Sequence, residues 1–279
     1  MTGFWFKKNL FDGWDNLFHM IVPNIVMYAS ILLGVLAGVG INELPVMDAW
    51  KNIILFVAAF VFCGVLFVFV FAEGDNCALI ANFESASLKN YFKNIVPSIK
   101  DGMLFGLLMA MIVAILCISF PFYYRIWVPS DGSKGSVVGL ILMIFVFWFV
   151  VICLLSLQWF LPIRSLMHNG FRKCLRKSFI LFFDNPGFTL VVALNNVLLI
   201  ALSVICIGLV PGFTGVVLAN TNALRLRLYK YDWYEVNPDL SDQERKQVPW
   251  DELLANDRET IGPRKFRNLL FPWKDYKFV

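Results

Sequence analysis

The chain has 279 residues, of which 59% are hydrophobic and 16% aromatic, while only 16% are charged. A soluble domain carries roughly 25% charged residues, so the composition excludes a soluble enzyme, a disordered chain and a secreted disulfide scaffold, and identifies an integral membrane protein. The net charge of +4 says less than its distribution, because the 24 Lys and Arg avoid the long apolar runs and gather between them.

In chain order, the first predicted element is amphipathic. Phe6, Leu10, Trp14, Leu17 and Ile21 recur at helical spacing, Phe11 and Phe18 widen the stripe, and Lys7, Lys8, Asp12 and Asp15 lie mostly off it. This pattern predicts an interfacial helix on the cytoplasmic face that turns into the first span. The segment is too charged for the core of a cleavable signal peptide, so the first span is expected to target the protein.

A membrane span needs about 20 mostly apolar residues. Four runs meet this requirement, at 19–40, 51–72, 103–124 and 137–161, and Val137 to Phe160 carries no charge at all. Between the second and third, residues 85–100 place Leu88, Tyr91, Phe92, Ile95 and Ile99 on one face and Lys89, Asn90, Lys93 and Asn94 on the other. Pro97 is expected to kink or end that helix. After the fourth, residues 162–182 set Leu166, Phe171, Leu175, Phe179 and Phe182 beside Arg172, Lys173, Arg176 and Lys177. These four cations form the most basic stretch next to the membrane, suited to anionic lipid headgroups or to a protein partner.

A final hydrophobic region is nearly twice the length of one span and is broken by Gly208, Pro211 and Gly212. It divides into spans at 187–207 and 211–228, the second weakened by Asn220, Thr221 and Asn222 and open to a tilted or partly re-entrant course. Charge decides whether that segment returns the chain. Six crossings leave 21 of the 24 basic residues on one side and only Lys51, Arg125 and Lys134 on the other, whereas five leave 10 and 14. Basic residues concentrate on the cytoplasmic side, so the expectation is an all-α, polytopic bundle of six transmembrane helices over residues 1–228 with both termini cytoplasmic.

Residues 229–279 form a polar cytoplasmic tail. It nevertheless holds Trp250, Leu253, Leu254, Phe266, Leu270, Phe271 and Trp273, more apolar and aromatic side chains than a disordered tail carries. These residues are expected to dock on the bundle itself or on a partner subunit, where Trp is a frequent anchor.

The chemistry-bearing patterns point away from catalysis. There is no GxxxxGK[ST], HExxH or GxSxG. The two histidines, His19 and His168, are far apart. The six cysteines include no CxxC and read as small hydrophobes in helices, with no metal or cofactor implied. No ionisable residue falls well inside a predicted span, Glu73 and Asp75 being placed at the end of the second. The polar residues within spans, among them Asn24, Gln158, Asn195, Asn196, Asn220 and Asn222, suit helix-to-helix hydrogen bonds. The pairs Gly34/Gly38, Gly102/Gly106 and Gly208/Gly212 have the spacing that lets helices approach closely.

The order of these features carries a family resemblance. The amphipathic start is followed by Leu88-Lys89-Asn90-Tyr91-Phe92-Lys93-Asn94 before the third span. Leu161-Pro162-Ile163-Arg164 leads into Cys174-Leu175-Arg176-Lys177-Ser178-Phe179, and Asn185-Pro186-Gly187 opens the fifth span. Pro211-Gly212-Phe213-Thr214-Gly215 then precedes Asn220 and Asn222. Over residues 1–228 the chain resembles the YesL family of small bacterial membrane proteins, and the tail lies outside that pattern. The resemblance implies a multi-pass protein of the bacterial cytoplasmic membrane with an accessory, non-catalytic role in carbohydrate uptake, in contact with the permease or ATPase of an ABC transporter. It supplies no catalytic residue. An independent small-solute transporter or a permease component is the alternative reading.

Overall fold

A computed structural model describes residues 1–130, 134–241 and 243–264 of the chain. Among the described residues the regular structure is wholly helical. The main elements are α1 (Thr2–Asp15), α2 (Leu17–Asn42), α3 (Asp48–Ala81), α4 (Leu88–Trp127), α5 (Val137–Leu157), α6 (Phe160–Met167), α7 (Phe171–Asp184), α8 (Pro186–Ile205) and α9 (Gly212–Val236). The short helices α10 (Trp250–Leu253) and α11 (Ala255–Ile261) follow in the tail. Five helices are long and apolar enough to cross a membrane: α2, α3, α4, α8, and α5 continued through α6. α9, predicted as the sixth span, is not among them.

Helix boundaries follow local chemistry. Ser87 caps α4 by accepting from the Asn90 N–H, and Ser136 caps α5 by accepting from the Val138 N–H. Pro97 neither ends nor splits its helix, and the two predicted segments at 85–100 and 103–124 are one helix of 40 residues. The ring lies on the exposed face and removes only its own bond to the carbonyl one turn back, on exposed Lys93. The predicted 162–182 segment divides instead. His168 adopts a left-handed conformation (φ 48°) that closes α6, and α7 starts afresh at Phe171.

α2, α3, α4 and α5 pack side by side in that order. Close approach between α3 and α4 depends on Gly102 and Gly106, where an added Cβ would come within 2.6 Å of Val68 Cα and 2.5 Å of Gly64 Cα respectively. Gly34 does the same for α2 against the ring of Phe62, whereas Gly38 faces open space. Gly208 and Gly212 serve another purpose. Both have positive φ, and they form the turn between α8 and α9.

α9 is the central element. It packs against α1, α2, α3, α6 and α8, and its segment Val217–Leu224 is buried at every position. This explains its weak hydropathy. A helix sheathed by other helices faces side chains rather than lipid, so Thr221, Asn220 and Asn222 are tolerated once hydrogen-bonded. An aromatic core lies beside it, with Phe71, Phe105 and Phe160 in mutual contact (centroids 5.4, 4.7 and 5.8 Å), and with Phe188 in contact with both Trp5 and Trp159.

The tip of the α8–α9 hairpin ends well short of the far ends of α2 and α3. Asn24 on α2 donates from Nδ2 to the carbonyls of Leu209 (2.8 Å) and Pro211 (3.1 Å), and its Oδ1 accepts from the N–H and hydroxyl of Thr214. Gly208 lies against the Tyr28 ring. Beyond Tyr28, α2 continues 14 residues to Asn42, about 21 Å at 1.5 Å per residue. The hairpin tip also adjoins Phe67 and Val70, and 19 residues of α3 separate Phe67 from Asp48, about 28 Å.

Candidate functional site

The charged side chains gather where α1, the C-terminal halves of α3 and α9, the start of α4, α6, α7 and the tail converge. α1 meets this region with its polar face. Lys8 is fully buried, its Nζ 2.9 Å from Asp12 Oδ2 and 3.6 Å above the Phe83 ring. Asn222 on α9 donates to Asn9 Oδ1 and Asp12 Oδ2, both at 2.9 Å, and the Trp5 indole donates to the Ala219 carbonyl. Burial pushes the Lys8 ammonium below its ordinary pKa against the opposing pull of Asp12, and pushes the Asp12 carboxyl up against the pull of Lys8 and Asn222. The apolar stripe, by contrast, is turned outward, with Trp14 49% and Phe18 82% exposed. Lys8 and Asp12, expected off the stripe, are therefore buried together with Trp5 and with Phe11, the one stripe residue of α1 that turns inward. The stripe faces away from the protein because the neighbouring α9 offers amides at Asn222.

Four further ion pairs tie elements together. Arg164 on α6 reaches Asp101 on α4 (3.0 Å) and Asp75 on α3 (3.4 Å). Arg225 on α9 holds Asp257 of α11, which also accepts from the Tyr229 hydroxyl at 3.1 Å. Lys230 pairs with Asp184 at 3.2 Å, and the Tyr231 hydroxyl donates to the same carboxylate. Burial alone would raise the Asp184 carboxyl, but Tyr231, Lys230 and Asn185 outweigh it and hold it below the usual carboxylate range. Glu73, expected at the end of a span, is instead enclosed in the packed part of α3 with no exposed surface, and takes a hydrogen bond from Asn76 at 3.3 Å. Its burial follows from α4, α6 and α9 packing around α3, a grouping that hydropathy along α3 does not reveal.

The predicted tail residues divide. Leu254 is fully buried, Trp250 is half-buried with the Arg227 guanidinium 5.7 Å from its ring, and Leu253 is half-buried. The tail is joined to α1 through Lys7 Nζ and the Gly262 carbonyl (2.9 Å) and through Arg264 and Asp15 (2.6 Å). Phe266, Leu270, Phe271 and Trp273 lie outside the described residues. Of the four predicted cations, Arg172, Lys173 and Arg176 are exposed on α7 and Lys177 is half-buried with its Nζ near Met167 Sδ. Among the described residues none of the four is in an ion pair. Ile180 and Phe183 extend the same helix with 56% and 67% exposure.

Sequence reasoning missed Arg164, Arg225 and Asp257 as connecting residues, since each pairs with a group at least 32 positions away. Among the described residues no group of three His, Cys, Asp or Glu side chains converges as a metal site requires. No protein-family model, no curated protein and no solved structure matches the chain.

Proposed function

We propose that the chain is a non-catalytic accessory or regulatory subunit in the bacterial cytoplasmic membrane that associates with a carbohydrate ABC transporter through its cytoplasmic face. The resemblance in order of features motivates this reading. The observation that carries it is the outward side of α7, where Arg172, Lys173 and Arg176 stand free of ion pairs beside exposed Ile180 and Phe183. Other cations nearby (Lys8, Arg164, Arg225 and Lys230) are bound to carboxylates within the fold. A basic surface with an apolar border is suited to an acidic partner helix or loop, and to the anionic leaflet around it.

The same reading sets both termini on the cytoplasmic side. It takes α2 to α5 as full crossings, α1 as an interfacial helix with its aromatic stripe in lipid, and α8–α9 as a hairpin that enters from the cytoplasm and returns. A returning hairpin preserves the parity of six crossings, so the division of basic residues is unchanged. The shallow hairpin tip beside Tyr28 and Phe67 supports this course.

The test is gentle-detergent purification from native membranes followed by mass spectrometry of what accompanies the chain. Recovery of ABC permease subunits with a sugar-binding lipoprotein is expected, and should be lost in the R172E/K173E/R176E variant. Recovery of the chain alone, together with solute uptake by vesicles holding only this protein, supports the independent-transporter alternative.

A further inference from the structure

Among the described residues four Asp, Glu, Lys or Arg side chains are buried: Lys8, Asp12, Glu73 and Asp257. Lys8 and Asp12 neutralise each other, and Asp257 faces Arg225. Glu73 is the exception, with no exposed surface and no described cation within ion-pair distance. The cations on the elements packed against α3 are engaged or turned elsewhere. α2 carries no Lys or Arg, and Arg164 on α6 is bound to Asp75 and Asp101. On α9, Arg225 holds Asp257, Lys230 holds Asp184, and Arg227 lies 4.5 Å over the Phe188 ring. On α4, Lys89, Lys93 and Lys100 are exposed and Arg125 is in the last turn, at the far end. The titratable groups within electrostatic reach of Glu73, Cys77 on α3 and Tyr91 on α4, supply no positive charge.

The hydrogen bonds around Glu73 indicate what would satisfy it. Asn76, one turn on, donates from Nδ2 to Glu73 Oε2 (3.3 Å) and to the Ser87 carbonyl (3.2 Å). A carbonyl only accepts, so the second bond fixes the orientation of the amide and leaves Asn76 Oδ1 as an acceptor. Asn76 Oδ1 and Glu73 Oε1 are both buried with no hydrogen-bond partner. The hydroxyls of Tyr91 and Ser98 are equally unpaired, so neither donates to Glu73. No water-sized space adjoins either oxygen. A carboxylate oxygen and an amide oxygen cannot satisfy each other, because both are acceptors. One proton changes that. A neutral carboxyl can donate from Oε1 to the amide oxygen while accepting from the amide nitrogen, and no charge is left buried. A proton is also a ligand that needs no cavity.

We infer that Glu73 is a proton-binding site, carrying a proton at neutral pH in an acid–amide pair with Asn76 where α3 meets the start of α4. An ionisable side chain enclosed in a membrane bundle marks a functional position by default. Here, release of the proton would strand a charge among α3, α4, α6 and α9, so proton binding is coupled to the closed packing of this junction. The inference goes beyond the transporter-subunit reading and does not depend on it.

Infrared spectroscopy of the delipidated full chain at neutral pH, in a maltoside detergent that has no carbonyl group, tests this. Wild type is expected to show the C=O stretch of a protonated carboxyl, which ionised carboxylates lack. Asn76→Ala removes the bonded amide and should move that band to higher frequency. Glu73→Gln can keep both hydrogen bonds to Asn76, so it should abolish the band and unfold at the wild-type temperature. Absence of the band from wild type overturns the proposal, as does its survival at full strength in Glu73→Gln. A wild-type melting temperature that rises with sodium chloride but not with choline chloride, an effect lost in Glu73→Gln, would show a metal cation balancing the carboxylate and overturns it too. Should Glu73→Gln fail to fold, the Asn76→Ala spectrum decides: a shifted band supports the acid–amide pair, and an unmoved band places the proton on another carboxyl and overturns it.

Discussion

Lys8 and Asp12 form a one-turn ion pair with almost no contact with solvent, in which Asn222 donates to Asp12 and the Phe83 ring faces the Lys8 ammonium. A buried pair contributes little net stability, yet removing one partner strands the other charge at a cost of about 3–5 kcal/mol. Lys8→Met and Asp12→Leu are each expected to lower the melting temperature in detergent sharply, whereas the double replacement Lys8→Met/Asp12→Leu should recover most of the loss. Additive losses in that double-mutant cycle would show that the two residues act separately. Asp184 makes a complementary prediction in pH. Its folded pKa is depressed, so it contributes stability that is present above the unfolded value near 3.8 and is lost as pH falls through the folded one. Melting curves from pH 7 to pH 3 should fall more steeply for wild type than for Asp184→Asn, with the two converging at the acid end. The effect is small, because the Asp184 carboxylate is partly exposed and screened.

The α3–α4 pair shows what element-level packing requires. Its glycines at 102 and 106 bring two backbones together, and the added Cβ of Gly106→Ala would strike the backbone of Gly64, which cannot rotate away. That substitution should cost about 1–3 kcal/mol, the usual range for overpacking, while Gly38→Ala should be neutral because no atom lies within 4 Å of its Cβ. Thermal unfolding of both variants side by side checks the contrast. The Gly-x3-Gly spacing was visible in three places, but only one pair serves helix packing at both positions. Spacing marks where a close approach is possible, and the partner helix decides whether it occurs. Likewise, Pro97 signalled a break that exposed backbone absorbs, while the break at His168 was marked by the adjoining Asn169-Gly170 pair, a turn signal that the apolar periodicity of 162–182 obscured.

At the scale of the whole molecule, the question is how far the α8–α9 hairpin penetrates. Cys206 lies at its tip and is exposed. In a variant keeping Cys206 alone, with the other five cysteines replaced by Ala, a membrane-impermeant maleimide added outside intact cells should leave Cys206 unlabelled. A cysteine introduced at Ser136 in the same background, between α4 and α5, should be labelled from outside. Labelling of both positions would mean that α8 and α9 cross in full. The tail belongs to this scale too. Arg225–Asp257 and Lys7–Gly262 bind its described part across more than 30 and 250 positions respectively, joining it to α9 and α1.

The sequence by itself determined the class of protein, since apolar run lengths and the exclusion of charge from them leave no soluble alternative. It also located α2, α5 and α8 to within a few residues at both ends, and it marked the tail as more than spacer through Trp250 and Leu254. The tertiary structure decided which way each helix faces. Periodicity identifies the apolar stripe of α1 but does not say whether that stripe meets protein or the lipid-facing surface, because both are apolar. The amides of α9 drew Lys8 and Asp12 inward and left Trp14 and Phe18 outside. It also decided why α9 fails as an apolar span while forming the centre of the bundle. Hydropathy reports on exposure to lipid, and α9 is screened from lipid by α1, α2, α3, α6 and α8.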